Sequence, residues 1–111
     1  MLKKKFKPAV NGLLDGFGHR SIVTQYVLGT MAVIAGFILR LTYQEWLAVI
    51  LCIGLVIVTE YLNTAIEFTC DFLTTERDEQ IKVIKDIAAG AVLVASLTAL
   101  VTAIVILFHH I

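Results

Sequence analysis

The sequence predicts an all-α membrane protein: three transmembrane helices preceded by an amphipathic interfacial helix. Two observations carry that expectation. Hydrophobic residues make up 59% of the 111 residues, against about 45–50% in ordinary soluble domains. The charged residues, 16% of the chain, gather at the ends of three apolar runs, each near the ~20 residues that cross a bilayer. One Pro and seven Gly leave those runs free to be helical. The formal net charge of zero gives no footprint for nucleic acid. Cys52 and Cys70 have no metal-ligand spacing and no partners for a disulfide framework, and read as ordinary small residues. Three spans leave little material for a separate soluble unit, so residues 1–111 are expected to form one membrane-embedded domain.

The interfacial helix is expected at about 6–20. Its apolar residues Phe6, Val10, Leu13, Leu14 and Phe17 are spaced 4, 3, 1 and 3 apart, which is one helix face. Lys3, Lys4, Lys5 and Lys7 beside that face suit a helix lying on the membrane surface. No apolar core follows the lysines directly, so the segment does not read as a secretory signal. The first span is expected at about 22–41. The short link Arg40–Glu45 makes it an antiparallel hairpin with the second, at about 46–62, with Tyr43 and Trp46 suited to an interfacial belt. Thr74–Asp78 interrupts the apolar pattern, and Thr75 with Asp78 has capping-box spacing. The third span follows at about 87–108. Ala91, Ala95, Ala99 and Ala103 form a small-residue ridge in it, and Ala32 with Gly36 a similar pair in the first span. His109 and His110 read as an exposed polar tail. Eight of the nine basic residues fall on the side that holds the N-terminus and the second interhelical link, with Arg40 alone opposite. The positive-inside rule makes the eight-residue side cytoplasmic, at a cell membrane.

Seven of the nine carboxylates lie between Glu60 and Asp86, and Glu60 closes the second apolar run. A charge at mid-bilayer costs roughly 2.5–3.5 kcal/mol on insertion scales, and less near a span's end. A chain that keeps one there is expected to use it. Glu60, Asn63, Glu67 and Asp71 are spaced 3, 4 and 4 apart, within an arc of roughly 80° on one helix face. Like charges so arranged repel, and a divalent or cationic ligand would offset that. Lys85 and Asp86 precede the third span at a matching depth and offer a phosphate-binding cation and another acid. Oxygen donors without thiolates suit Mg²⁺, which binds through one or two carboxylates together with substrate phosphates. Phosphoryl transfer asks for such a metal, a cation on the phosphates and a carboxylate to take the acceptor's proton. No Walker A, dinucleotide-binding or protein-kinase motif is present, so a nucleotide site here is not of the common soluble kinds.

The run Glu60-Tyr-Leu-Asn63-Thr-Ala-Ile-Glu67, then Asp71, then Lys85-Asp86-Ile-Ala-Ala-Gly-Ala-Val-Leu, resembles the signature of the small prokaryotic diacylglycerol kinase family, which includes undecaprenol kinases. The likeness covers about residues 12–105. It implies a homotrimeric membrane enzyme that uses ATP and Mg²⁺ to phosphorylate a lipid hydroxyl at the cytoplasmic interface. In that likeness Glu60 is the general base, Glu67 a Mg²⁺ ligand, and Asn63 an organiser of the nucleotide phosphates. Asp71 is a nucleotide-side residue, Lys85 the phosphate-binding lysine, and Asp86 its partner. The chain departs from the pattern at His19, where the family has a metal-binding glutamate, and over Ser21–Gln25. Asp15, four residues earlier on the expected helix, or a water is the stand-in the spacing offers. A catalytically divergent member, a small transporter and a holin-like pore are the rival readings. The transporters of this size use four spans with a glutamate in the first, and here the first span has no acid.

Overall fold

The computed structural model describes residues 2–111, with side chains from Phe6 onward, so the predicted contributions of the Lys3, Lys4 and Lys5 side chains lie outside the described residues. It contains four helices in the order α1 (Leu2–Gly16), α2 (Arg20–Leu39), α3 (Tyr43–Leu73) and α4 (Glu79–His110), and no strand among the described residues. The helices α2, α3 and α4 are long and apolar enough to cross a membrane.

The interfacial helix starts and stops earlier than its periodicity suggested. It runs through Pro8 and ends at Gly16, where three short-range bonds close its last turn: Phe17 N–H to Leu14, Gly18 N–H to Asp15 and His19 N–H to Gly16, at 3.1, 3.0 and 3.0 Å. His19 is extended (φ −111°, ψ 124°) and α2 begins after it. Asp15 and His19 therefore do not share one continuous helical face, which corrects the expectation built on their spacing. The apolar side of α1 is exposed at Phe6, Val10, Leu13 and Leu14, and Phe17 just beyond it is exposed too, as a helix half-sunk in lipid requires.

Arg40 ends α2 in the left-handed region (φ 57°, ψ 60°), donating its N–H to Gly36 and Phe37. Leu41 N–H closes on Gly36 O at 3.2 Å. Trp46 packs on this corner, its ring 4.9 Å from that of Phe37 and over Gly36, where a Cβ would collide with it. Thr42 then caps α3 reciprocally: its Oγ1 accepts from Glu45 N–H at 3.2 Å, and its own N–H donates to Glu45 Oε1 at 2.9 Å.

The helix that carries the second span does not stop near residue 62. α3 continues unbroken for 31 residues, about 46 Å at 1.5 Å per residue, against roughly 30 Å of hydrocarbon. Its last turns therefore project beyond the bilayer. At the other end of the link, Asp78 alone caps α4, accepting from Gln80 and Ile81 N–H at 2.8 and 3.2 Å. The box expected from Thr75 does not form; a Thr74 hydroxyl turn to Glu76 N–H takes its place.

α3 is the central helix, packed against α4 along its length and against α2 on another face. Most covered positions of α4, Ile81, Lys85, Ala88, Val92, Ala95, Ala99, Thr102 and Ile106, follow alternating steps of 4 and 3, with Gly90 and Ser96 covered beside them. That is the 3.5-residue repeat of left-handed helix pairing. The expected ridge at steps of 4 drifts off this seam: Ala95 and Ala99 lie in it, whereas Ala91 is exposed and Ala103 borders the groove among the spans. The tail is also tied down, because His110 Nε2 lies 2.9 and 3.1 Å from the two Glu45 oxygens.

Candidate active site

The charged ends of α3 and α4 meet at one end of the bundle, and the predicted acid face is found there. Glu60 is 6% exposed and Asn63 9%. Glu60 lies 14 residues beyond Trp46, about 21 Å along the helix, and so within hydrocarbon depth. Glu67 and Asp71 lie further along and are exposed. A continuous α3 is what lets one helix face carry a buried acid and two exposed ones in register.

Asn63 is the informative residue. Its Nδ2 donates to Glu67 Oε1 at 3.0 Å. A carboxylate only accepts, so the amide nitrogen must face it, and Oδ1 is thereby turned away. That oxygen is buried with no partner. An unpaired buried acceptor costs about 1–3 kcal/mol, and native proteins keep few of them. Here the orphan sits beside an acid at the end of a span.

Lys85 reaches across from α4 to Asp71 Oδ1 at 2.6 Å. Its hydrogen bond to Asp71 holds the ammonium above its usual range, with the Asp71, Cys70 and Glu67 charges adding to the effect against partial desolvation. Asp86 does not pair with Lys85 in this structure; it bonds Lys82 one turn back, at 2.8 Å. The bridge between the two helices is therefore Asp71–Lys85, and Asp86 stands on the same turn of α4.

Asp15 and His19 line a cleft of about 490 Å³ between α1 and α3, with Tyr61, Thr64 and Phe68. The His19 ring meets Phe68 edge-on at 5.0 Å. Tyr61 lies about 120° around α3 from Glu67 while Thr64 lies about 40° from Glu60, so this cleft opens beside the acid face and reaches its edge at Thr64. Thr64, buried one turn beyond Glu60, went unremarked in the sequence because a threonine in an apolar run reads as a packing residue. A second groove of about 260 Å³ opens among all three spans, lined by Gln25, Gly29, Ala32, Cys52, Val56 and Ala99 among others.

Among the described residues no three acids, histidines or cysteines converge on one point. The hard-cation donor this face presents to solvent is thus the Glu67 carboxylate, the free Asn63 oxygen being turned away from it, so that most ligands would be left to phosphates and water. That set fits the sparse way Mg²⁺ is held beside a nucleotide.

These features define a small helical membrane protein with an oxygen-donor and ammonium site at one mouth of its bundle. The chain belongs to the prokaryotic diacylglycerol kinase family, whose model matches residues 7–107. It is similar to the undecaprenol kinase of Bacillus subtilis (strain 168), 40% identical over 73 residues; the match takes in 66% of this chain and 59% of the relative.

Proposed function

We propose that the chain is a lipid kinase, a single membrane-embedded domain acting as a homotrimer. It transfers the γ-phosphoryl of MgATP to the hydroxyl of a membrane lipid at the cytoplasmic face. Undecaprenol is the first acceptor to test, given the relative's name, and diacylglycerol, from the family's description, is the second. The excess of basic residues on the N-terminal side supports the cytoplasmic placement of the site.

In this reading Glu60, buried at the span's end, accepts the proton of the lipid hydroxyl as it attacks. Asn63 and Glu67 hold the metal–nucleotide phosphates, the amide oxygen gaining the partner it lacks. Bound Mg²⁺ supplies charge neutralisation on the transferring phosphoryl and its leaving group. Lys85 adds a point charge for the phosphates, held in place by Asp71 until the nucleotide competes for it. Asp86 holds Lys82 and stands on the same turn of α4 as Lys85. The groove among the spans suits a hydrocarbon tail, and the low-dielectric surroundings of Glu60 strengthen its interaction with the attacking hydroxyl.

The observation that carries the reading is the orphaned oxygen of Asn63, a side chain tied to Glu67 through its nitrogen and one turn from the buried Glu60. The test is γ-phosphoryl transfer by the detergent- or lipid-embedded protein, offered undecaprenol and diacylglycerol separately. Transfer to either supports the kinase, and the better acceptor fixes the branch. Transfer to neither overturns the reading and favours the divergent or non-enzymatic alternatives.

A further inference from the structure

A helix that ends near lipid must satisfy its last carbonyls, because little water is available to do so. At the end of α1 the carbonyls of Leu14, Asp15 and Gly16 are taken by the N–H groups of the next turn. The Leu13 carbonyl is left over, and it receives the Tyr61 hydroxyl at 2.8 Å. Tyr61 is the residue next to Glu60. Its oxygen also lies 2.9 Å from the Tyr26 hydroxyl on α2. With the Tyr61 proton directed at Leu13, Tyr26 is the donor of that second bond.

Packing reinforces the join. The Phe17 ring stacks on Tyr26 with centroids 4.8 Å apart and planes 21° off parallel. Gly16 lies so close to the Tyr61 ring that a Cβ there would overlap it. Three helices therefore meet at one phenol oxygen. Elsewhere α1 touches the bundle sparsely, and its apolar side faces outward. The cleft between α1 and α3, with buried Thr64 on its wall, opens directly beside this junction.

We propose that Tyr61 is a positioning residue: by holding the end of α1 against α3 and α2, it sets the height of the interfacial helix over Glu60 and so the approach of the acceptor lipid's hydroxyl. The kinetic part of this rests on the kinase reading above. The hydrogen-bond network predicts asymmetric effects. Tyr61→Phe removes both bonds while keeping the ring. Tyr26→Phe removes one and keeps the stack on Phe17, so it should do less. Gly16→Ala pushes α1 off the ring and should act in the same direction as Tyr61→Phe, with the two changes less than additive in the double variant.

The experiment measures acceptor and nucleotide KM for each variant in lipid nanodiscs, with amide hydrogen exchange over residues 10–18 as an independent readout. Tyr61→Phe is expected to raise acceptor KM roughly fivefold per lost hydrogen bond, to leave nucleotide KM unchanged, and to speed exchange only at the α1–α2 junction. Wild-type acceptor KM and exchange in Tyr61→Phe would overturn the proposal. A parallel loss against both substrates with a lowered melting temperature would also overturn it, since that marks general loosening. If the wild-type protein transferred phosphoryl to no lipid, the kinase reading and the acceptor-positioning role would fall together. Faster exchange in Tyr61→Phe would then leave Tyr61 only as the tether of α1.

Discussion

Asn63→Leu separates a residue kept for folding from one kept for a ligand. In the structure Asn63 is 9% exposed and its Oδ1 has no partner. Burying that oxygen unpaired costs about 1–3 kcal/mol. Leucine keeps asparagine's branched skeleton, with bulkier methyl ends, and removes the orphan. It also removes the Nδ2 bond to Glu67, worth about 1.5–3 kcal/mol if fully buried. Glu67 is exposed, however, and water replaces that bond at small loss. The net expectation is a ligand-free protein as stable as wild type, or more stable by up to about 1–2 kcal/mol. Phosphoryl transfer should meanwhile fall by at least about 10²-fold, the scale for losing a group that orients and neutralises transferring phosphate. Thermal or denaturant unfolding without nucleotide, run beside the transfer assay, reads both quantities. A clear loss of stability with activity retained would refute the reasoning, because Asn63 would then be a structural amide and its oxygen no ligand.

Four further outcomes follow from particular contacts. Arg40→Gly should raise stability by about 1 kcal/mol in denaturant unfolding, because Arg40 occupies left-handed backbone that glycine adopts freely. The Asp71–Lys85 bridge raises the lysine's folded pKa above 10.5, so its contribution is complete below that value and fades as pH rises beyond it. Alkaline melting curves should show this loss in wild type and not in Asp71→Asn. His110→Ala breaks the join to Glu45 at the opposite end of the bundle, so it should lower the melting temperature and leave transfer intact. Asp15→Ala should leave the Mg²⁺ dependence of transfer unchanged, since Asp15 lines the cleft on the Tyr61 side of α3 and away from Glu67; a weakened metal requirement there would restore Asp15 as the stand-in ligand.

The spans were legible because lipid imposes long uninterrupted apolar runs, and the acid face because 3, 4 and 4 spacing is a geometric property of any helix that carries it. The failures have equally physical causes. Amphipathic spacing continues through Phe17, so nothing in it marked the break after Gly16; that break comes from short-range carbonyl bonds. Where polarity begins marks the end of a span but not of its helix, and α3 stays helical to Leu73 once it leaves the hydrocarbon. The alanine ridge has a period of four, which drifts about 40° per step around a helix, whereas paired helices follow 3.5 residues. The Glu45–His110 and Tyr26–Tyr61 joins span 65 and 35 residues, and pairings so distant leave no local pattern. At the site, Asn63 and Glu67 fall together as the spacing suggested, while Lys85 takes Asp71 in place of Asp86 because antiparallel packing of α3 and α4 brings those two turns side by side.

Lipid phosphorylation in this reading depends most directly on Glu60, the acid buried midway along α3. Glu60→Gln keeps the side chain's shape and removes its ability to accept a proton. Measured with saturating acceptor lipid and MgATP, transfer by this variant should fall about 10²- to 10⁴-fold while nucleotide binding, followed by equilibrium titration, stays near wild type. A Glu60→Gln protein that phosphorylates lipid at close to the wild-type rate would contradict the central claim.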